Sequence, residues 1–135
     1  MPRMPRPSLS AILASASATG EGNAVRVDDI RHILFQVGTD NTADLTYKFQ
    51  GSLSDASPDF GAARSATNNW DYVEVVDLED GTLIDGDTGI TVAGVTDPVG
   101  SRMFTLNVDF MKWVNCEVTA WNAGGVTVGL LGAND

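Results

Sequence analysis

The fold of this chain is decided by the stretch Arg102-Met-Phe-Thr-Leu-Asn-Val-Asp-Phe-Met-Lys-Trp-Val-Asn-Cys-Glu-Val-Thr-Ala-Trp-Asn-Ala-Gly-Gly-Val-Thr-Val-Gly-Leu-Leu131. Apolar and polar residues alternate in it, first from Phe104 to Val108 and again from Val114 to Ala120. A period of two residues is typical of strands that bury one face. The stretch therefore predicts three short strands in succession, closed by a hairpin that contains glycine.

Strand-like segments recur upstream at regular intervals. They occupy residues 24–28, 31–37 and 44–50, and two more follow at 70–78 and 90–94. No segment of the body has the period of an amphipathic helix. Seven or eight short strands predict an all-β fold, in which two packed antiparallel sheets bury the alternating faces. We expect a jelly-roll-like β-sandwich, with an immunoglobulin-like sandwich as the second choice.

Residues 1–22 differ from the rest because they are rich in Pro, Ser, Ala and Gly. We predict an extended N-terminal arm over residues 1–22 and one β-sandwich domain over residues 23–135. Two arginines ahead of a weakly apolar stretch also resemble a secretory signal, but serine interrupts the apolar part and proline occupies the basic part. A basic arm in front of an acidic body is suited to contact a neighbouring subunit. Its candidate contact residues are Arg3, Arg6, Leu9, Ile12 and Leu13.

The charge of the chain limits its partners. The formal net charge is −10 and the sequence pI is about 4.2. Nucleic-acid binding relies on clustered Lys and Arg, which this sequence lacks, so we expect no nucleic-acid partner. No apolar run approaches the roughly 20 residues that span a bilayer, so we expect no membrane partner. An acidic surface suits a protein partner with a basic patch.

The acidic residues around two turns are the first candidates for chemistry. Hard cations such as calcium take several carboxylate oxygens, but the spacing here does not match a calcium-binding hand. Asp-Gly pairs are common turn formers. We therefore expect turns and solvated charge, with no metal and no cofactor. The residues are Asp77, Glu79, Asp80, Asp85 and Asp87.

Nucleophilic catalysis has few candidates. His32 stands alone, without a serine or cysteine in a recognisable nucleophile setting, and Cys116 lies on the apolar phase of its strand. A nucleophile elbow, a phosphate loop and paired Cys/His ligands are all missing from the sequence. We expect a buried thiol, no catalytic residues and no enzymatic activity.

Two further features are candidates for contact with a partner. The turn-rich segment from Gly51 to Asn69 is long for a compact domain, and loops of this kind are often functional, so residues 54–68 form a candidate contact segment. Trp70, Tyr72 and Trp121 are candidates for an exposed contact or glycan platform. The competing interpretation is packing, in which Trp70 at the start of a strand anchors the long loop.

Four segments carry a family resemblance. They are Phe35-Gln-Val-Gly-Thr-Asp, Leu45-Thr-Tyr-Lys-Phe-Gln-Gly-Ser-Leu-Ser-Asp, Asn69-Trp-Asp-Tyr-Val-Glu-Val and Lys112-Trp-Val-Asn-Cys-Glu-Val-Thr-Ala-Trp-Asn-Ala-Gly-Gly-Val-Thr-Val. In the cadence of strands, turns and aromatic residues from Val25 to Leu131, the chain resembles small β-sandwich virion proteins of tailed bacteriophages. The resemblance is closest to capsid decoration proteins, also called cement proteins.

This resemblance implies a structural role without chemistry. A protein of this kind binds the major capsid protein on the outside of a phage head as a homotrimer and stabilises the shell. It is expected on the outer capsid surface of the virion, after assembly in the host cytoplasm, with the N-terminal arm contacting the capsid or an adjacent subunit. The alternative is a tail or baseplate adhesion module that binds a host glycan through the exposed aromatic residues.

Overall fold

The computed structural model describes residues 10–28, 30–40, 42–93, 100–107 and 111–133, which form two antiparallel sheets. None of these residues belongs to a helix long and apolar enough to span a bilayer. Sheet A contains, in spatial order, β1 (Ser10–Ala16), β12 (Val126–Ala133), β4 (His32–Thr39), β10 (Gly100–Asn107), β7 (Val75–Asp77) and β8 (Leu83–Ile84). Sheet B contains β2 (Gly20–Glu21), β11 (Trp113–Ala123), β5 (Asp44–Ser52) and β6 (Asp71–Tyr72), with β3 (Val25–Arg26) also paired to β11 and β9 (Ile90–Ala93) to β5.

The strand order is that of a jelly roll. Four strands of sheet A run in the order β1-β12-β4-β10, and four of sheet B run in the order β2-β11-β5-β9. Every pairing among them is antiparallel, and the chain alternates between the sheets in the manner of two Greek keys. The short strands β3, β6, β7 and β8 extend the sheets. The prediction of an all-β, jelly-roll-like sandwich is confirmed.

The two inner faces meet in one hydrophobic core with aromatic rings at its centre. The rings of Phe35 and Phe49 lie 4.3 Å apart, and Phe104 lies 5.7 Å from Phe49 and 6.4 Å from Tyr47. All four side chains are almost completely buried. Because they come from β4, β5 and β10, these contacts join sheet A to sheet B. Offset and tilted ring pairs of this kind add stability beyond the apolar area they bury.

The C-terminal stretch forms the strands that its alternation predicts. β10 and β12 both pair with β4 over the full length of that strand, and β11 pairs with β5. The β11–β12 hairpin turns at Gly124, which has a φ of 76°. An L side chain rarely adopts this backbone conformation, and a Cβ at this position would also overlap the backbone of Ala43. The predicted hairpin therefore depends on Gly124.

The predicted boundary at residue 22 is wrong. β1 pairs with β12 at the edge of sheet A, and β2 pairs with β11 in sheet B, so the sandwich includes residues that we predicted to form an arm. The ladder between β1 and β12 shifts register on both sides of Leu13, and Ser15 has a φ of 50°. These irregularities, together with the Ser- and Ala-rich composition, remove the alternation by which the other strands are recognised. Arg3, Arg6 and Leu9 lie outside the described residues.

Ile12 tests whether β1 is part of the core. Its side chain is 2% exposed, so Ile12→Ala should lower the free energy of unfolding by about 2–5 kcal/mol through lost burial and a residual cavity. Urea denaturation measures the change. Ala14→Ser on the exposed side of the same strand is the matched control, with an expected change within about 0.5 kcal/mol. Equal, small effects of both substitutions would contradict the docking of β1.

Candidate functional site

The outer face of sheet B is covered by the long loop between β5 and β6. Gln50, Ser52 and Asn115 occupy strand positions that point away from the core, yet they are 0%, 4% and 1% exposed. Polar side chains of this kind are costly to bury unless they form hydrogen bonds. The loop of residues 53–70, named here the cover loop, supplies this bonding for Gln50 and Ser52, whereas Asn115 donates to the carbonyl of Gly22.

Strand side chains hold the backbone of the cover loop at three points. Gln50 Nε2 donates to the carbonyl of Phe60 at 3.0 Å, and Ser52 Oγ donates to the carbonyl of Asn69 at 2.5 Å. Trp113 Nε1 donates to the carbonyl of Asp55 at 3.3 Å. The side chain of Phe60 is itself only 3% exposed, so the middle of the loop is pinned by an apolar contact as well as by hydrogen bonds.

Asn68 organises the cover loop from within. Its Oδ1 accepts from the backbone N–H of Asp59 at 2.9 Å, while its Nδ2 donates to the carbonyls of Asp59 at 2.8 Å and Ala63 at 3.1 Å. Backbone hydrogen bonds between Ser65 and Asn68 close the tip of the loop. The candidate contact segment is therefore an ordered structure that presents one surface to solvent.

Aromatic and cationic side chains form a cluster at the C-terminal end of the cover loop. Trp70 lies 6.1 Å from Phe60 and 5.0 Å from Tyr72, ring centroid to ring centroid, and its Nε1 donates to a loop carbonyl at 3.0 Å. The guanidinium of Arg64 lies 5.6 Å from the Trp70 ring and 5.0 Å from the Tyr72 ring. The ammonium of Lys48 lies 4.8 Å from the Tyr72 ring. These cation–π contacts engage the ring of Tyr72 from within the protein itself.

Ion pairs and a short hydrogen bond fix the cluster in place. Arg64 pairs with Asp71 and, at 3.4 Å, with Asp87 in a neighbouring turn. The Tyr72 hydroxyl donates to Glu117 Oε1 at 2.6 Å. Burial and then this carboxylate raise the pKa of Tyr72 to about 12, because both disfavour the phenolate. The phenol is therefore a neutral hydrogen-bond donor over the physiological range.

A cleft lies between the start of the cover loop and its end. It is open to solvent, has a volume of about 610 Å³ and is lined by Ser52, Leu53, Ser54, Asn69, Trp70 and Met111 among others. Leu53 is 64% exposed at its mouth. The cleft thus combines one aromatic edge with hydroxyl and amide groups, a mixture found in sites for small polar ligands.

The structure brings together two of the three predicted platform residues. Trp70 and Tyr72 are in contact, whereas Trp121 pairs opposite Leu45, five residues along β5 from Gln50, the partner of Tyr72. At the rise of a strand this offsets Trp121 by roughly 16 Å along the strand direction, and β5 lies between the two strands. Trp121 is 41% exposed and donates its Nε1 to the carbonyl of its own hairpin turn at 2.9 Å. The three residues do not form one platform, and the prediction that Trp70 anchors the long loop is confirmed.

Two of the predicted arm contacts are buried in the sandwich. Ile12 and Leu13 are 2% and 5% exposed because they pack into the core of their own sandwich. Neither side chain is available to a capsid protein or a neighbouring subunit, so the prediction is wrong for these two residues.

The acidic residues stabilise turns. Asp80 Oδ1 accepts from the backbone N–H of Thr82 at 2.9 Å, and Asp85 Oδ2 accepts from the hydroxyl of Thr88 at 3.1 Å. Asp77 is buried and pairs with Arg102. Within the described ranges, His, Cys, Asp and Glu side chains form no group of three or more that could hold a metal ion.

The two candidates for nucleophilic catalysis, Cys116 and His32, lie in different sheets and differ in exposure. Cys116 is completely buried, as its phase in β11 predicts, and burial raises the pKa of its thiol. His32 lies exposed at the start of β4, in the other sheet. The thiolate, which is the reactive form of cysteine, is therefore suppressed at Cys116.

Comparison with known proteins bears on the fold. No protein-family model and no curated protein sequence matches the chain. Among solved structures, it is similar to the crystal structure of the SPBc2 prophage-derived protein YomS, with a TM-score of 0.67 and 13% sequence identity. The likeness covers 93% of this chain and 91% of that chain. At this identity it shows a shared β-sandwich fold along nearly the whole of both chains.

Asn68 and Asn69 provide a matched pair for testing the order of the cover loop. Asn68→Ala removes three side-chain hydrogen bonds and should favour loop opening by about 1–2 kcal/mol, which corresponds to about tenfold faster trypsin cleavage after Arg64. The neighbouring Asn69→Ala removes one exposed side-chain hydrogen bond, to the carbonyl of Ala66, and should change the rate little. Mass spectrometry of the fragments follows the cut. Rapid cleavage of the unmodified chain after Arg64 would contradict an ordered loop.

The pKa of Tyr72 gives a second test. The chain has two tyrosines, and burial raises the pKa of Tyr47 as well, so the first tyrosinate absorbance should appear near pH 12 and vanish in Tyr72→Phe. The stability that the Tyr72 hydrogen bond supplies is fully present below the unfolded pKa of about 10 and is lost as the pH rises through about 12. Glu117→Gln should move the first transition to lower pH. A tyrosine that titrates near its ordinary pKa in the folded chain would contradict this geometry.

Proposed function

We propose that this chain is a non-enzymatic structural protein of a phage particle, and specifically a capsid decoration protein that binds the outside of the head as a trimer and stabilises the shell. The observation that carries the proposal is the fold likeness to a prophage-derived protein, which extends over 93% of this chain. The sequence resemblance to small β-sandwich virion proteins points in the same direction.

The cover loop supports a binding role. Its polar groups are bonded to the loop backbone and to sheet B, and its outward side chains stand on a fixed scaffold. A surface that is ordered before binding loses little conformational entropy when a partner docks. We propose that the cover loop and the acidic turns beside it face the major capsid protein, where a basic patch would complement the net charge of −10.

The proposed mechanism is mechanical. A protein that binds only the assembled shell stabilises that shell by mass action, since the binding free energy is lost when neighbouring capsid subunits separate. The proposal places the chain on the outer capsid surface after assembly in the host cytoplasm, with the major capsid protein and other copies of itself as partners. It requires neither nucleic acid nor membrane nor cofactor.

An adhesion module that binds a host glycan is the second candidate. The cleft beside Trp70, with its hydroxyl and amide groups, is the observation that favours it. Two observations weigh against it. Trp121 lies on a distant part of β11, and the ring of Tyr72 is already engaged by Arg64 and Lys48.

Copy number separates the two candidates. Quantitative mass spectrometry of purified particles should give an abundance similar to that of the major capsid protein, because a shell stabiliser must cover the shell. A handful of copies per particle would contradict the decoration role and favour the adhesion module. Binding of the purified chain on a glycan array, lost in Trp70→Ala, would then identify the cleft as the site.

A further inference from the structure

The outer face of sheet A differs from that of sheet B because no loop of the described chain covers it. On β4 and β12 the outward positions hold Leu34 and Leu131, both partly exposed, paired opposite each other. Across β10 and β7 the same row continues through Thr105 and Val76 to Leu83 on β8, which is 61% exposed. Partly or fully exposed aliphatic side chains thus lie on four of these five strands, with Thr105 on the fifth.

Met103 lies in the adjacent row. It is 46% exposed and pairs opposite Gln36 at the centre of the sheet. The backbone N–H of Leu78, itself 46% exposed, donates to the Met103 carbonyl at 3.0 Å. The outward side of sheet A that carries Leu34, Leu78, Leu83, Met103 and Leu131 is named here the open face.

The open face carries no formal charge. The chain has 8 basic and 18 acidic residues, yet the only charged residues in the strands of sheet A are Arg102 and Asp77. These two pair with each other and lie on the core-facing phase of their strands. The outward positions described in these strands hold aliphatic, small or neutral polar residues, with His32 at one end. Such a face is unusual on a protein whose net charge is −10.

We infer that the open face is a self-association surface, on which a second copy of this chain packs. This inference rests on the proposed function, in which several copies assemble together. Two chains of net charge −10 repel each other, and carboxylates placed opposite carboxylates would cost several kcal/mol. A face without acidic residues is where two such copies meet at least cost. A basic partner would gain nothing from it, because it offers no carboxylate to pair.

The size of the open face fits this role. With strands about 4.8 Å apart and a rise of about 3.3 Å per residue, it spans roughly 500–600 Å². In a trimer it would meet a different surface of the neighbouring copy, and two surfaces of this size together bury roughly 1,000–1,200 Å², which reaches the size of a small specific interface. Acidic turns at its border, including Glu79 and Asp80, stay in the solvated rim. Salt screens their repulsion, so self-association should strengthen as ionic strength rises.

Sedimentation velocity of the full chain tests the inference with a matched set of variants. Leu83→Lys and Met103→Lys place a cation on the open face, and Leu53→Lys places the same cation on the cover loop, at a residue that is 64% exposed against 61% for Leu83 and 46% for Met103. Each variant changes the net charge equally. We expect the wild-type chain and Leu53→Lys to self-associate, and the two open-face variants to associate at least about 100-fold more weakly. A wild-type chain that stays monomeric, or equal association of all four proteins, would overturn the inference.

A thiol probe gives a readout that does not depend on disrupting the interface. Cys116 is fully buried, so an introduced cysteine is the reactive thiol of the described chain. The alkylation rate of Met103→Cys should fall about tenfold or more as the protein concentration is raised through the assembly range. Leu53→Cys should react at a constant rate. Unchanged reactivity of Met103→Cys in an associated sample would overturn the inference.

These outcomes also separate the inference from the proposed function. Self-association through the open face as a dimer would keep the inference and contradict the trimer. Trimer formation in which the thiol of Met103→Cys stays exposed would contradict the inference and keep the proposed function, since the copies would then meet through another surface.

Discussion

The hydrogen bond from the buried Gln50 amide to the carbonyl of Phe60, together with the burial of the Phe60 side chain, distinguishes the two outer faces of this sandwich. A jelly roll buries its two inner faces against each other and leaves two outer faces to be covered or exposed. The cover loop covers part of one of them, because its backbone carbonyls accept hydrogen bonds from the buried side chains of Gln50 and Ser52. The remaining face has no such cover in the described chain and is free of formal charge.

This division gives each surface a different physical character. The face of sheet B carries a rigid loop edged with acidic and cationic groups, which suits an electrostatic contact with another protein. The face of sheet A is partly aliphatic and neutral, which suits contact between like-charged copies. A protein that must both bind a shell and assemble with itself needs two such surfaces, and the topology places them on opposite sides of one core.

Sequence reasoning succeeds where the alternation is regular. β10, β11 and β12 follow directly from it, and the hairpin at Gly124 follows from its glycines. It fails at β1, because a bulged Ser- and Ala-rich strand has no clear period. It also misses the burial of Gln50 and Asn115, because the sequence does not distinguish an outward polar residue that is covered from one that is exposed to water. The available sequence signal for a covered face was Phe60, an isolated aromatic residue in a polar loop. The distance between Trp121 and Tyr72 depends on strand register, which a single sequence does not specify.

Electron cryomicroscopy of purified particles tests the central claim most directly, namely that this sandwich is a shell-binding protein with two differently used faces. The account predicts density for the jelly roll in symmetric clusters on the outer surface of the head, with sheet A turned toward the neighbouring copies and the cover loop toward the shell. Isolated copies at the tail tip, or clusters in which sheet A faces solvent, would contradict it.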